Sequence, residues 1–201
     1  MFGGLFTGYT CRVVNELEDA ARWRAPGRLE HVRRFLNTWE HLARTREDRD
    51  HLPSLAGDAG AWERRFPSLR RPRKDELEEL IALRTGLRRA VEDDLDVQWF
   101  NTQLQAARVT VNIDASGSTI RYVPAGEPTA VSDLLAIVVE AIGDGTWQRL
   151  KACPDCQLVF FDRTRNASKR WCQMSARQGG RACGSISKVQ SWRARKGGAR
   201  T

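Results

Sequence analysis

The chain has 201 residues, of which 41% are hydrophobic and 29% charged, with a net charge of +8, a composition that suits one good-sized core plus one small module. No apolar run approaches the roughly 20 residues of a membrane-spanning helix, and Met1 to Val14 lack the basic start and long apolar core of a secretion signal, so the expectation is a cytoplasmic protein with reduced cysteines. The charge is uneven: from Lys151 onward there are twelve Lys or Arg and two Asp, which leaves residues 1–150 at −2 and gathers all the excess at the C-terminal end.

In chain order, Cys11, Val14, Leu17 and Ala21 recur at helical intervals, predicting a helix over about Tyr9 to Trp23 that stops before Pro26-Gly27. Leu29, Val32, Leu36, Trp39 and Ala43 predict a second helix from Arg28 to Ala43. His31 and His41 share it ten residues apart, a rotation of about 280° at 3.6 residues per turn, so they face differently; with His51 they read as surface histidines. Arg44 to Arg73, rich in Asp, Arg, Gly and Pro, reads as a long loop with helical turns anchored by Leu52, Leu55, Trp62 and Phe66. Asp75 opens a strong helix whose stripe of Leu77, Leu80, Ile81, Leu87, Val91 and Leu95 opposes a polar face of Glu76, Glu79, Arg84, Arg88 and Glu92.

A further helix over Val97 to Ala107 turns Phe100 and Leu104 inward. The period then switches to two, with Val109, Val111 and Ile113, a turn at Ala115 to Ser118, and Ile120 to Val123, which is a β-hairpin. Ala130 to Ile142 is an apolar helix, broken by Gly143-Asp144-Gly145. Trp147 to Lys151 then leads with almost no linker into the last module.

That module holds Cys153, Cys156, Cys172 and Cys183, with two, fifteen and ten residues between successive members. Paired spacing of this kind is a zinc-site pattern, and a Zn²⁺ ion closed off by four thiolates braces a small fold without doing chemistry. Cys153-Pro154-Asp155-Cys156 reads as the knuckle, Gln157 to Asp162 as a strand, Thr164 to Ser168 as a turn, and Lys169-Arg170-Trp171 as the return of a hairpin into Cys172. Ser185 reads as the cap of a helix carrying Ile186, Val189 and Trp192. Knuckle, hairpin and helix in that order suggest a treble-clef-like finger. Disulfides compete with zinc for these residues but need an oxidising compartment, and the odd fifth cysteine, Cys11, argues for a reduced one.

The run Phe160 to Met174 (FDRTRNASKRWCQM continuing from Phe161), followed by Cys-Gly-Ser and the basic helix KVQSWRAR, resembles the CGNR zinc finger, a C-terminal module of bacterial proteins with an ABATE-type, stress-induced-transcription-regulator-like N-terminal domain. Two departures stand out: the family tetrapeptide Cys-Gly-Asn-Arg appears as Cys183-Gly184-Ser185-Ile186, and Ala176 to Arg181 look like an insertion. Val13-Val14-Asn15-Glu16-Leu17 is similar to the opening motif of ABATE-type domains, which makes Asn15 the one polar residue the resemblance would assign to a small ligand; an amide bonded inside a helix bundle is the competing reading.

The expectation is thus an α+β protein: a mainly helical domain with a β-hairpin over residues 1–146, then a treble-clef-like finger over 147–201 holding one structural zinc. Arg163, Arg165, Lys169, Arg170, Lys188, Arg193, Arg195 and Lys196 would form a positive face for nucleic acid. Together with the resemblance, this reads as a DNA-binding transcription regulator, a homodimer with a small-molecule effector for its N-terminal domain. An RNA-binding or ribosome-associated factor is the alternative, with Trp171 stacking on unpaired bases. An enzyme is the third reading, disfavoured because no nucleophile beside a base, phosphate-cradling loop or useful carboxylate pair is evident.

Overall fold

The computed structural model describes residues 22–42, 45–174 and 182–197, with the side chains of residues 190 and 194–197 left aside. Of the expected first helix only Arg22 and Trp23 fall within them, and both are helical; Cys11, Asn15 and the inserted stretch Ala176 to Arg181 lie outside the described residues. The fold is α+β as expected, with helices around three separate two-stranded antiparallel hairpins.

Helix α1 spans Leu29–Leu36 and is about half as long as expected. The chain turns at Asn37 and Thr38, where the Thr38 hydroxyl donates to the Phe35 carbonyl at 2.7 Å. Trp39–Leu42 is then strand β1, paired with β2 (Glu47–Asp50) in the register Trp39↔Asp50 and Leu42↔Glu47. The four residues of β2 are Glu, Asp, Arg and Asp, so the expected loop contains a strand with no apolar alternation to announce it. Its placement is tertiary: Arg84 grips the Asp50 carboxylate with two bonds of 2.6 and 2.5 Å.

Short helices α2 (Leu52–Gly57) and α3 (Ala59–Arg65) follow, the second capped by Asp58, which accepts from the Ala61 amide at 3.0 Å. Of the anchors expected in this region, Leu52, Trp62 and Phe66 are fully buried and Leu55 is half-buried against the core. A single 3-10 turn over Lys74–Glu76 leads into α4 (Leu77–Glu92). Halfway along α4, Gly86 lets the Trp99 indole lie directly on the helix; a Cβ there would sit 2.1 Å from the ring. Helix α5 (Val97–Ala106) is capped by Asp96, and β3 (Val109–Ile113) pairs with β4 (Ile120–Pro124) as expected.

Helix α6 (Ala130–Gly143) starts in a capping box: Thr129 Oγ1 accepts from the Ser132 amide at 3.0 Å and Ser132 Oγ from the Thr129 amide at 2.9 Å. Nearly every residue from Ala130 to Val138 is buried, which makes α6 the centre of the core, with α1, α4 and β4 packed around it. A 3-10 turn at Trp147–Arg149 leads to β5 (Leu150–Ala152), which pairs with β6 (Val159–Phe161), and α7 (Cys183–Gly197) ends the described chain.

Two expectations about polarity change. Arg84 and Arg88, assigned to the polar face of α4, are 3% and 7% exposed, because α4 is covered by the open end of the β1–β2 hairpin on one side and by β5 on the other. The histidines are not simply superficial either: His31 is half-buried, His41 Nδ1 lies 2.7 Å from Asp48, and His51 Nε2 lies 3.3 Å from Glu40.

Candidate metal centre and basic surface

The knuckle occupies the turn of the β5–β6 hairpin. The Cys153 amide donates to Leu158 O at 2.9 Å and the Gln157 amide to Cys153 O at 2.7 Å, which folds Pro154 and Asp155 over and aims both sulfurs the same way. Gln157 accepts a left-handed backbone, φ 60°, to close this turn. The hairpin therefore pairs upstream, Leu150↔Phe161 and Ala152↔Val159, and not with Lys169 to Trp171 as expected. Residues 169 to 171 run as irregular chain into Cys172.

The fourth cysteine opens α7, where helix N-terminal amides favour a thiolate. The helix starts three residues earlier than expected: Ser185 is inside its first turn, and its hydroxyl donates to Met174 O at 2.5 Å. The Gly184 and Ser185 amides donate to Gln173 O and Met174 O, at 2.9 and 3.1 Å. That tie lays the helix start against the irregular segment after Cys172 so closely that a Cβ on Gly184 would sit 2.3 Å from the Met174 sulfur. The glycine following the last cysteine thus has a packing reason.

The four sulfurs lie within 4.8 Å of one another. With Zn–S bonds of about 2.3 Å, a regular tetrahedron has S–S edges of about 3.8 Å; Cys156 to Cys172 is 3.7 Å and Cys172 to Cys183 is 3.8 Å. Both are far beyond the roughly 2.05 Å of a disulfide, and all four are free thiols. Cys153, Cys172 and Cys183 are buried and Cys156 half-buried. Four sulfurs this close conflict over protons: contacts with Cys156, Cys172 and Cys183 push Cys153 down, contacts with Cys153, Cys156 and Cys183 push Cys172 up, and contacts with Cys153 and Cys156 push Cys183 up. A divalent cation removes the conflict by stabilising every thiolate at once. The four cysteines can therefore hold a metal ion, and their chemistry and spacing suit zinc. Among the described residues they form the cluster of metal-ligating side chains.

Around the centre, a second small core joins Trp23 and Phe160 to three of the cysteines. The Trp23 indole N–H donates to Cys172 O at 2.9 Å, and Arg22 donates to Gln173 Oε1 at 3.0 Å. Residues far away in sequence also grip the hairpin. Asn37 pairs with Val159 as a strand would, accepting from its amide and donating to its carbonyl at 2.8 Å each. Arg33 donates to the same carbonyl at 3.3 Å. Arg88 donates to Leu36 O at 2.9 Å and to Gln157 O at 2.8 Å, with its guanidinium 4.4 Å over the Trp39 ring. Burial lowers the Arg88 pKa to about 10, so it remains a cation at neutral pH.

The basic residues sit on a loop that is held in shape. Fully buried Asp162 accepts from the Thr164 amide at 2.9 Å, the Thr164 hydroxyl at 2.7 Å and the Lys169 amide at 2.7 Å. Burial pushes its pKa up, but these bonds and the nearby Lys151 charge outweigh that and hold it below its ordinary value. Arg149 donates to Asp162 O and Thr164 O, and Lys151 to Ala167 O at 3.0 Å. Sequence reasoning missed Asp162, although Asp-x-Thr after a strand is the signature of a side chain that bonds its own backbone two residues on.

Of the residues expected on the positive face, Arg165, Arg170, Lys188 and Arg193 are exposed, and Lys169 is half-buried with its ammonium 5.2 Å from the Phe160 ring centre. Arg163 is exposed but committed, donating to Arg24 O at 2.9 and 3.2 Å. The side chains of Arg195 and Lys196 lie outside the described residues, and their backbone belongs to α7. The acids of this segment, Asp155 and Asp162, are both buried, so none lies on its surface to neutralise these cations. Trp171 is half-buried with Arg170 stacked at 5.3 Å. Trp192 is 51% exposed and Val189 47%.

No curated protein matches the chain. Residues 149–196, a span that begins at the Arg149 loop support and takes in all four cysteines and most of α7, match the family described as CGNR zinc finger.

Proposed function

We propose that the protein binds double-stranded DNA through its C-terminal module and serves as a bacterial transcription regulator. In this reading the four cysteines hold one structural zinc in a treble-clef-like finger, and the protein works by binding and not by catalysis. The N-terminal domain, of the ABATE type, dimerises or responds to a small effector, with Asn15 the residue to examine first. The observation that carries the reading is the loop Arg163 to Arg170, held by Asp162, Arg149 and Lys151 beside the sulfur cluster. It presents cations on a surface whose only acids are buried. A loop whose backbone is already held is suited to a polyanion because little backbone entropy is lost on contact.

Titration of labelled duplex DNA and of structured RNA at several salt concentrations tests this. Affinity should fall with log salt by about 0.9 in log K for each phosphate contact on duplex DNA, and the double variant Arg165→Gln, Arg170→Gln should lower that slope by about 1.8. Arg193→Gln should instead narrow the gap between a specific site and random DNA. A flat salt dependence would remove the module as the binding surface. Preference for RNA would favour the second reading, for which exposed Trp192 is the better stacking residue than half-buried Trp171.

A further inference from the structure

The β3–β4 hairpin stands partly beyond the core. Val109 and Tyr122 are half-buried near α6, but Val111 is 61%, Ile113 60% and Ile120 58% exposed, all on the same face. Scattered exposed apolar residues are ordinary; three adjoining ones, two on β3 and one opposite them on β4, in a hairpin with an open edge are not. Among the described residues this sheet has two strands, so one edge of β3 has no partner.

Which groups that edge offers follows from the ladder. The Asp114 amide donates to Thr119 O and the Ala125 amide to Arg108 O, so even-numbered residues of β3 direct their backbone groups toward β4. The odd-numbered residues Val109, Val111 and Ile113 therefore direct theirs outward. Natural edges are normally blunted by a charge, a proline or a bulge, and β3 has none of these between Val109 and Ile113.

We propose that this edge pairs with β3 of a second copy of the chain, antiparallel about a two-fold axis at Val111, joining the two hairpins into one four-stranded sheet. The strand is chemically self-complementary about that point. Reading outward, Val111 meets its own copy, Thr110 meets the partner's Asn112, Val109 meets the partner's Ile113, and Arg108 meets the partner's Asp114. All of the outward-directed residues fall in hydrogen-bonded pairs, each exchanging two N–H···O=C bonds. Arg108 is exposed. Asp114, held by the Ser116 hydroxyl and the Ser118 and Thr119 amides, places a carboxylate at the opposite end of the same strand. The exposed apolar face then continues from one copy into the next. An axis at the same position satisfies backbone, side-chain polarity and charge together.

Sedimentation of the full chain tests this, with a mass near twice 22.8 kDa expected. Thr110→Lys with Asn112→Lys places like charges opposite each other, as does Thr110→Glu with Asn112→Glu. Each double variant should be monomeric and still melt cooperatively, at or somewhat below the parent's temperature because the stabilisation by the partner is lost, and mixing the two should restore a dimer made of one of each. Amide exchange at Val109, Val111 and Ile113 should be slow in the parent chain and fast in either double variant. A parent chain that stays monomeric across micromolar concentrations overturns the proposal, as does a folded Lys or Glu variant that remains a homodimer.

Discussion

Single side chains of the finger separate into those that shape it and those left over for contact. Asp162 belongs to the first group. Its depressed pKa means that its contribution to stability is present above the ordinary carboxylate range and is lost as pH falls through the lower, folded-state value. Asp162→Asn should therefore melt earlier than the parent at neutral pH, with the difference shrinking in acid; thermal melts at a series of pH values measure it. Arg163 also belongs here despite its exposure, because it is spent on Arg24 O. Arg163→Ala should leave the salt slope of nucleic-acid binding almost unchanged, where Arg165→Ala lowers it by about 0.9. Gly184→Val should weaken metal retention by prising α7 from Met174, readable as faster zinc loss to a chromogenic chelator.

Among the elements, those that carry their own instructions were legible in the sequence. Helix α5 has Phe100 and Leu104 on one face, α6 its apolar run, and β3–β4 its alternation around a Ser-Gly turn; the Asp96 cap and the Thr129–Ser132 box that start the two helices went unread. The gathering of Cys153, Cys156, Cys172 and Cys183 into one cluster that could hold a metal was equally legible, since residue type and spacing are written directly in the chain. What failed were features made by distant partners. Strand β2 is four charged residues held by pairing with β1 and by Arg84 on α4, and β1 was absorbed into a helix because Trp39 happens to fall on the right period. A helical stripe also shows only one buried face, so the burial of Arg84 and Arg88 on the other was invisible. Arg88→Met tests what the second face does. It leaves the Leu36 and Gln157 carbonyls without their donor, and a loss of about 2–3 kcal/mol is expected in denaturant melts, with looser metal binding because Gln157 adjoins Cys156.

For the molecule as a whole, the finger is less of an appendage than a domain division at residue 146 suggests. Leu150, Val159 and Phe161 lie in the same core as α1, α4 and α6. A chain ended at Gly143, the natural way to delete the finger, would strip that core as well. Phe161→Ala should cost about 3–5 kcal/mol although it is next to the metal-bearing loop. Cys172→Ser or zinc removal should lower the melting temperature of the entire chain; a helical unit whose melt is indifferent to chelator would show that the shared core matters little.

The clasp that binds Asn37 to Val159 and Trp23 to Cys172 spans 122 and 149 positions of the chain. Contacts between such distant residues form late, because a long loop must close first. During synthesis, residues that would complete the first helix's surroundings are still inside the ribosome when that helix emerges. Maturation is thus expected to wait for the synthesis of residues 150–183, so that metal supply and the emergence of that stretch set the same clock. Pulse-labelled chains released into zinc-depleted extract should stay sensitive to protease along their whole length, the early helices included.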